Sequence, residues 1–214
     1  MNALELSDIF TNIYKTNTWG SSESHSGLGS TVQYTEKIRT ELISIIKHFN
    51  IKNMIDTSCG DWNWMKLIQN QLPHYIGIDI VTEIIEQNQN NYSNDKTLFV
   101  NNHCLDYMSK LDDKSVDLIF CRHTLEHLPE EYNIAFLKQC NRVSKYLLVT
   151  NHELVIGNTS LNYPKTYRPI NIRLEPYSFI MPNLIGRIYD GPNQFLTEMF
   201  MLFFEFTQNN GLNT

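Results

Sequence analysis

Ile51-Lys52-Asn53-Met54-Ile55-Asp56-Thr57-Ser58-Cys59-Gly60-Asp61 is the stretch that decides the fold. A short apolar run reaches an acid, passes through small residues and a glycine, and closes on a second acid. The next apolar run, Tyr75-Ile76-Gly77-Ile78-Asp79-Ile80, also ends at an acid. The pair reads as a buried strand, a tight turn, a helix and a second strand with a carboxylate at its tip. In an open α/β sheet, ligands bind at the carboxyl ends of the strands, where strand order reverses. The turn lacks the three spaced glycines of a dinucleotide loop and the G-K-[ST] of a phosphate loop. Acids at both its ends would repel a pyrophosphate, and they suit a ligand with a positive amine and ribose hydroxyls. Asp79 is placed to hold such a diol, or else to cap the following helix.

Working outward, the same rhythm repeats. Strands are expected at Asn53–Asp56, Tyr75–Asp79, Thr97–Val100, Val116–Phe120 and Tyr146–Thr150, with helices after residue 61, over Val81–Gln87 and from Pro129 to Val143. Residues 88–96 are polar and read as a loop. Upstream, 1–18 and Thr31–Phe49 carry one-sided apolar spacing and are expected to be helical. Between them lies Trp19-Gly20-Ser21-Ser22-Glu23-Ser24-His25-Ser26-Gly27-Leu28-Gly29-Ser30, either a linker or a lid whose hydroxyls, Ser24 and Ser26 among them, face a ligand. Arg39 is a candidate clamp for a carboxylate or phosphate. Past Thr159 the rhythm stops. Prolines break residues 160–186, and two apolar runs, Leu184–Tyr189 and Glu198–Phe206, read as an antiparallel edge turning at Asp190-Gly191-Pro192, with a helix as the alternative for Met199–Phe206.

Composition narrows the class. The chain has 214 residues, 42% of them hydrophobic, which suits one domain with a sizeable core. A net charge of −6 and no basic stripe argue against a nucleic-acid surface. No apolar tract is long enough to span a membrane, and the first residues do not read as a secretory leader, so a cytoplasmic location is expected. Cys59, Cys104, Cys121 and Cys140 are dispersed without a C-x-x-C pair and read as reduced thiols.

These residues carry a family resemblance. Asp56–Asp61 resembles the first motif of the class I S-adenosylmethionine-dependent methyltransferases, Asp79 the ribose-binding acid of their second, and Asp117-Leu118-Ile119-Phe120-Cys121-Arg122 their fourth strand. Leu125-Glu126-His127-Leu128 resembles the element that often follows. The resemblance implies a Rossmann-like α/β fold, with a mostly parallel central sheet, helices on both faces and an antiparallel C-terminal edge, in a single domain over 1–214. It implies S-adenosylmethionine as cofactor, with contacts from Trp19, Arg39, Asp56, Ser58, Cys59, Gly60, Asp61, Asp79, Ile80, Cys104, Leu105 and Arg122. The glycine-poor turn departs from the pattern, as does Cys104-Leu105-Asp106 where the family commonly has an acid beside the adenine. The flanks, Trp19–Ser30, Cys59–Met65 and Arg168-Pro169-Ile170-Asn171 with Pro176-Tyr177, resemble a bacterial and viral group associated with surface-polysaccharide modification. That favours O-methylation of a small sugar-, phosphate- or phosphoramidate-bearing acceptor, held by Ser24, Ser26, Tyr163, Tyr167, Arg168 and Arg173.

His123-Thr124-Leu125-Glu126-His127 admits three readings. It matches the H-x-x-E-H of inverted zinc proteases; His123 could join cysteines in a structural zinc site; or a histidine could take a proton from an acceptor hydroxyl. The last is preferred, with His123 as base, His127 orienting it or the substrate, and no metal. The competing functions are an inactive cofactor-binding protein of the same fold and a nucleic-acid methyltransferase. The latter loses ground because Cys121-Arg122-His123-Thr124 stands where N-P-P-[YF] would.

Overall fold

The computed structural model describes residues 3–160, 167–181, 183–192 and 198–206. Seven strands form one sheet: β1 (Asn53–Asp56), β2 (His74–Asp79), β3 (Thr97–Asn101), β4 (Val116–Cys121), β5 (Ser144–His152), β6 (Asn183–Pro192) and β7 (Glu198–Glu205). Their order is β3-β2-β1-β4-β5-β7-β6. The first five are parallel, and β7 runs antiparallel between β5 and β6. Strand order therefore reverses between β1 and β4, and the tips of those two strands define where a ligand would sit.

The sheet is covered on both faces, which explains why its central strands read as unbroken apolar runs; every residue of β4 is buried. Alternate residues go to opposite sides. Ile55, Ile119, Leu147 and Val149 join one core layer, which also takes Phe136 and Leu137 of α5 (Glu130–Val143; α1–α4 are given below). Met54, Leu118, Phe120 and Leu148 join the other, with Ile38, Leu42 and Ile46 of the helix Glu36–His48. At the base of β4, Asp117 accepts from the backbone of Lys52 and Asn53 and pairs with Lys145 at 2.6 Å, while Asn53 Oδ1 accepts from Asp117 N. These bonds fix the β1–β4 register.

The remaining helices are α1 (Ala3–Thr16), α2 (Glu36–His48), α3 (Thr82–Tyr92) and α4 (Cys104–Met108). Several differ from the sequence expectation. α2 starts at Glu36 rather than Thr31. After Asp61 the chain makes turns and a 3₁₀ stretch, Met65–Gln71, in place of an α-helix. α3 continues through residues that read as loop, because Asn88 faces inward, 2% exposed, and donates to Gly60 O at 2.8 Å. The expected turn Asp190-Gly191-Pro192 is strand: bulges after Leu184 and Tyr189 absorb the irregularity, and pairing continues to Pro192 opposite Glu198. Residues 199–205, for which a helix was the alternative, are in β7. No helix among the described residues is long and apolar enough to cross a membrane.

Gly77 of β2 has no room for a side chain. A Cβ there would lie 2.9 Å from Phe99 Cδ1 and 3.0 Å from both Cys59 Cβ and Tyr75 Cε1. Gly77→Ala should therefore destabilise the protein by about 1–3 kcal/mol, the usual cost of overpacking, read as a lower urea midpoint with unchanged m-value.

Candidate active site

The turn after β1 is drawn together by its own acids. Asp79 Oδ2 accepts from Gly60 N at 3.0 Å and Oδ1 from Val81 N at 3.0 Å, so the second strand tip holds the first turn in place. Asp56 accepts from Tyr75 Oη at 2.9 Å and from Ser58 N at 3.3 Å. Gly60 has φ of 55°, and a Cβ on it would fall 2.3 Å from Ser26 Oγ. The position needs glycine for its backbone and for the loop that lies over it.

That loop is residues 19–30, and it lies across the pocket rather than hanging as a linker. Asp61 accepts from Ser24 Oγ at 2.8 and 3.0 Å and from His25 N at 2.9 Å, and its own N–H donates to Ser26 Oγ. Glu23 accepts from Val32 N and from Asn63 Nδ2, which also donates to Ser30 O. Arg122 Nη1 donates to Gly29 O at 2.8 Å.

The pocket beneath is lined from α1 by Leu6, Phe10 and Tyr14, from the loop by Trp19, His25, Ser26 and Ser30, and from the strand tips by Asp56, Ser58, Cys59, Gly60, Asp61, Asp79, Ile80, Cys104, Arg122, His123, Thr124 and His127. Asn102, His103, Leu128 and Tyr132 complete its far wall. Ser58 and Thr124 hydroxyls are in close contact across the β1–β4 gap. His127 stands among aromatic rings, 5.4 Å from Trp19, 5.7 Å from Tyr167 and 6.4 Å from Phe10.

His123 has φ of 54°, unusual for a non-glycine residue, and is held there by its backbone N–H donating to Thr150 Oγ1 at 2.9 Å. Its Nδ1 lies 3.1 Å from Glu126 Oε1, and its Nε2 lies 3.5 Å from Asp190 Oδ2. Burial and the neighbouring Arg122 push the imidazole down, but the Asp190 and Glu126 carboxylates outweigh them and its pKa is raised. Burial would raise the Glu126 carboxyl, yet its bond to His123 holds it down at about 2. Asp56 and Asp79 face the opposite case. Burial pushes Asp56 up to about 7, and Asp79 is raised for the same reason.

Other expected site residues stand elsewhere. Arg39 does not line the pocket; its Nη1 donates to Val32 O and Thr35 Oγ1, pinning the start of α2. Arg168 is buried and bonds Thr159 O, Leu128 O and Tyr177 Oη. Arg173 is half exposed and lies 3.8 Å from Glu153. Arg122 lines the pocket but gives Nε and Nη2 to Asp190, both at 2.9 Å. Arg168 and Arg173, expected to hold an acceptor, thus do not converge with Arg122 on the pocket. Leu105 packs against the core, Ser24 is spent on Asp61, and Tyr167 bonds His152 at 3.1 Å. Tyr163 lies outside the described residues. Among the described residues, no group of three or more His, Cys, Asp or Glu stands close enough to hold a metal ion.

The sequence reading missed Glu126, Asp190 and the α1 wall. Glu126 sits three residues after His123, in the short 3₁₀ turn Leu125–His127 that follows it, and this local spacing was the available signal. Asp190, 68 residues from Arg122, has no local signal.

A family model described as a methyltransferase domain matches residues 55–146, from β1 into β5. No curated protein matches the chain. Among solved structures, the chain is similar to magnesium protoporphyrin IX methyltransferase from Synechocystis PCC 6803 with bound S-adenosylhomocysteine, at 12% identity and a TM-score of 0.65, over 96% of this chain and 99% of that one. It is similar to Burkholderia thailandensis 1,6-didemethyltoxoflavin-N1-methyltransferase at 13% identity and a TM-score of 0.63, over 94% and 86% of the two chains. It also resembles the methyltransferase domain of bacterial CtHen1 at 16% identity and a TM-score of 0.58, over 80% and 99%.

Together, the sheet order, the strand-tip pocket and the match over residues 55–146 define the class: the class I methyltransferase fold, with a segment similar to a methyltransferase domain at its centre. S-adenosylmethionine is the cofactor that the resemblance of Asp56–Asp61 and Asp79 implies. The site fits this group. Asp79 stands at the second strand tip for a ribose diol, and among the described residues no cationic side chain is bonded to the buried carboxyls of Asp56 and Asp79, a lack that a ligand ammonium would make good.

Calorimetry should show S-adenosylmethionine binding in preference to NAD or ATP, with Asp79→Ala weakening it by about 1.5–3 kcal/mol, the range for hydrogen bonds to a charged group. Asp56, protonated below about pH 7 in the empty protein, should ionise beside the bound ammonium. Binding at pH 6 should then release protons, seen as a dependence of the heat on buffer ionisation enthalpy, and the release should fade at higher pH.

Proposed function

We propose that the protein transfers a methyl group to a hydroxyl of a small sugar-bearing acceptor in surface-glycan biosynthesis, with His123 as general base. The observation that carries this reading is His123 at the tip of β4, on the pocket wall and oriented through Nδ1 by Glu126. Bound S-adenosylmethionine supplies an activated methyl on a sulfonium, so the acceptor oxygen forms the new C–O bond as the C–S electron pair returns to sulfur. The chain then has two tasks, which are placement and removal of the hydroxyl proton. The fixed Nδ1 contact leaves Nε2 to receive that proton. A neutral hydroxyl is favoured over the phosphate or phosphoramidate alternatives, because Arg122 and Arg168 each already give three bonds to partners inside the protein. The sugar assignment is supported by the resemblance of the lid and of the Arg168–Asn171 segment to methyltransferases of surface polysaccharides.

Labelled S-adenosylmethionine offered with extracted sugar nucleotides, RNA or DNA should label the sugar fraction. Labelling of nucleic acid instead would overturn the acceptor class. Once an acceptor is in hand, His123→Ala should slow the single-turnover step about 10²- to 10⁴-fold with cofactor affinity unchanged. Because the imidazole pKa is raised, the acidic limb of the wild-type pH–rate profile should have its midpoint above the ordinary value near 6.5 and should vanish in the mutant.

A further inference from the structure

His123 is gripped from both sides, and the two grips differ in kind. On the Nδ1 side, Glu126 is fully buried and in hydrogen-bond contact at 3.1 Å. On the Nε2 side, Asp190 is 4% exposed but 3.5 Å away, and Nε2, itself buried, has no hydrogen-bond partner among the described residues. A carboxylate facing an unprotonated ring nitrogen gains nothing. Once that nitrogen carries a proton, the same contact becomes a charge-assisted hydrogen bond. Asp190 cannot swing away, since both its oxygens are fixed by Arg122.

We propose that Glu126 and Asp190 are positioning residues for His123, Glu126 fixing the ring through Nδ1 and Asp190 receiving the Nε2–H bond that forms once that nitrogen is protonated. This rests on the reading of His123 as base. The proton leaves the acceptor O–H as the oxygen gains the methyl, and it moves to Nε2, where Asp190 stabilises the imidazolium. The bond strengthens along the reaction coordinate, which is the kind of contact that raises a rate rather than tightening ground-state binding. The other groups facing His123 are Arg122 beside it, the uncharged Gly29 of the lid at the Nε2 edge, and Thr150 of β5 at its backbone. His127 and His152 act on it through Glu126.

The test is an NMR titration of His123 in ¹⁵N-histidine-labelled full-length protein saturated with S-adenosylhomocysteine, which needs no acceptor. Glu126→Gln and Asp190→Asn should each lower the titration midpoint by about one pH unit or more, as expected on losing an opposite charge at this range. In wild type and Asp190→Asn, the neutral ring should show the Nδ1–H tautomer. A midpoint unmoved in folded variants overturns the proposal. Should Asp190→Asn fail to fold because Arg122 is left unpaired, Glu126→Gln alone decides. The clamp can fail here while methyl transfer stands, and His123→Ala with a full single-turnover rate would remove the base without moving these midpoints.

Discussion

The buried ion pair between Arg122 and Asp190 is the contact on which the rest of the site depends. Its guanidinium gives two bonds to Asp190 on the edge strand β6 and a third to Gly29 O on the lid, with its face 5.9 Å from the Trp64 ring. One side chain at the tip of β4 thus ties the C-terminal hairpin and the N-terminal loop to the middle of the sheet. Removing one partner of such a pair leaves an uncompensated buried charge, which typically costs about 3–5 kcal/mol. Here the loss would also free the lid and take away the carboxylate that faces His123.

The other side of the pocket shows the opposite electrostatics. Asp56 and Asp79 are desolvated, with hydrogen-bond donors but, among the described residues, no cationic side chain bonded to them. The folded pKa of Asp56, about 7 against an ordinary 3.8, means the empty protein loses stability as pH rises through that interval, because the unfolded chain ionises first. Glu126 behaves in the reverse sense: its depressed value near 2 contributes stability above its ordinary 4.5 that is lost as the pH falls towards 2. A cationic ligand would relieve the first cost, so part of the cofactor's affinity is already stored in the acids it meets.

The parallel half of the fold was legible because its signals are local. Apolar runs ending in Asp56 and Asp79, with Gly60 between them, place strands, turn and ligand face within 30 residues. Where the reading failed, a distant partner decided. Polar Asn88 lies in a helix because Gly60 O needs a donor, and Asp190 lies in a strand because Arg122 draws it inward. Arg39 and Arg168 look like ligand clamps in sequence and prove to be spent on Val32 O and Leu128 O. A lone arginine carries no mark of whether its five donors will find a ligand or a carbonyl.

The lid and the segment after β5 are fastened largely through main-chain atoms: Gly29 O, Ser30 O and Val32 N on one side, Leu128 O and Thr159 O on the other. Main-chain groups are present whatever the side chain. Provided Arg122, Asn63, Glu23 and Arg168 stay, with the Ser24 and Ser26 hydroxyls on Asp61 and the Asn158 and Asn171 amides, the other residues of these segments can drift without unfastening either one. Sequence change in such a chain can therefore gather in the exposed parts of two loops while the strand tips beneath them stay as they are.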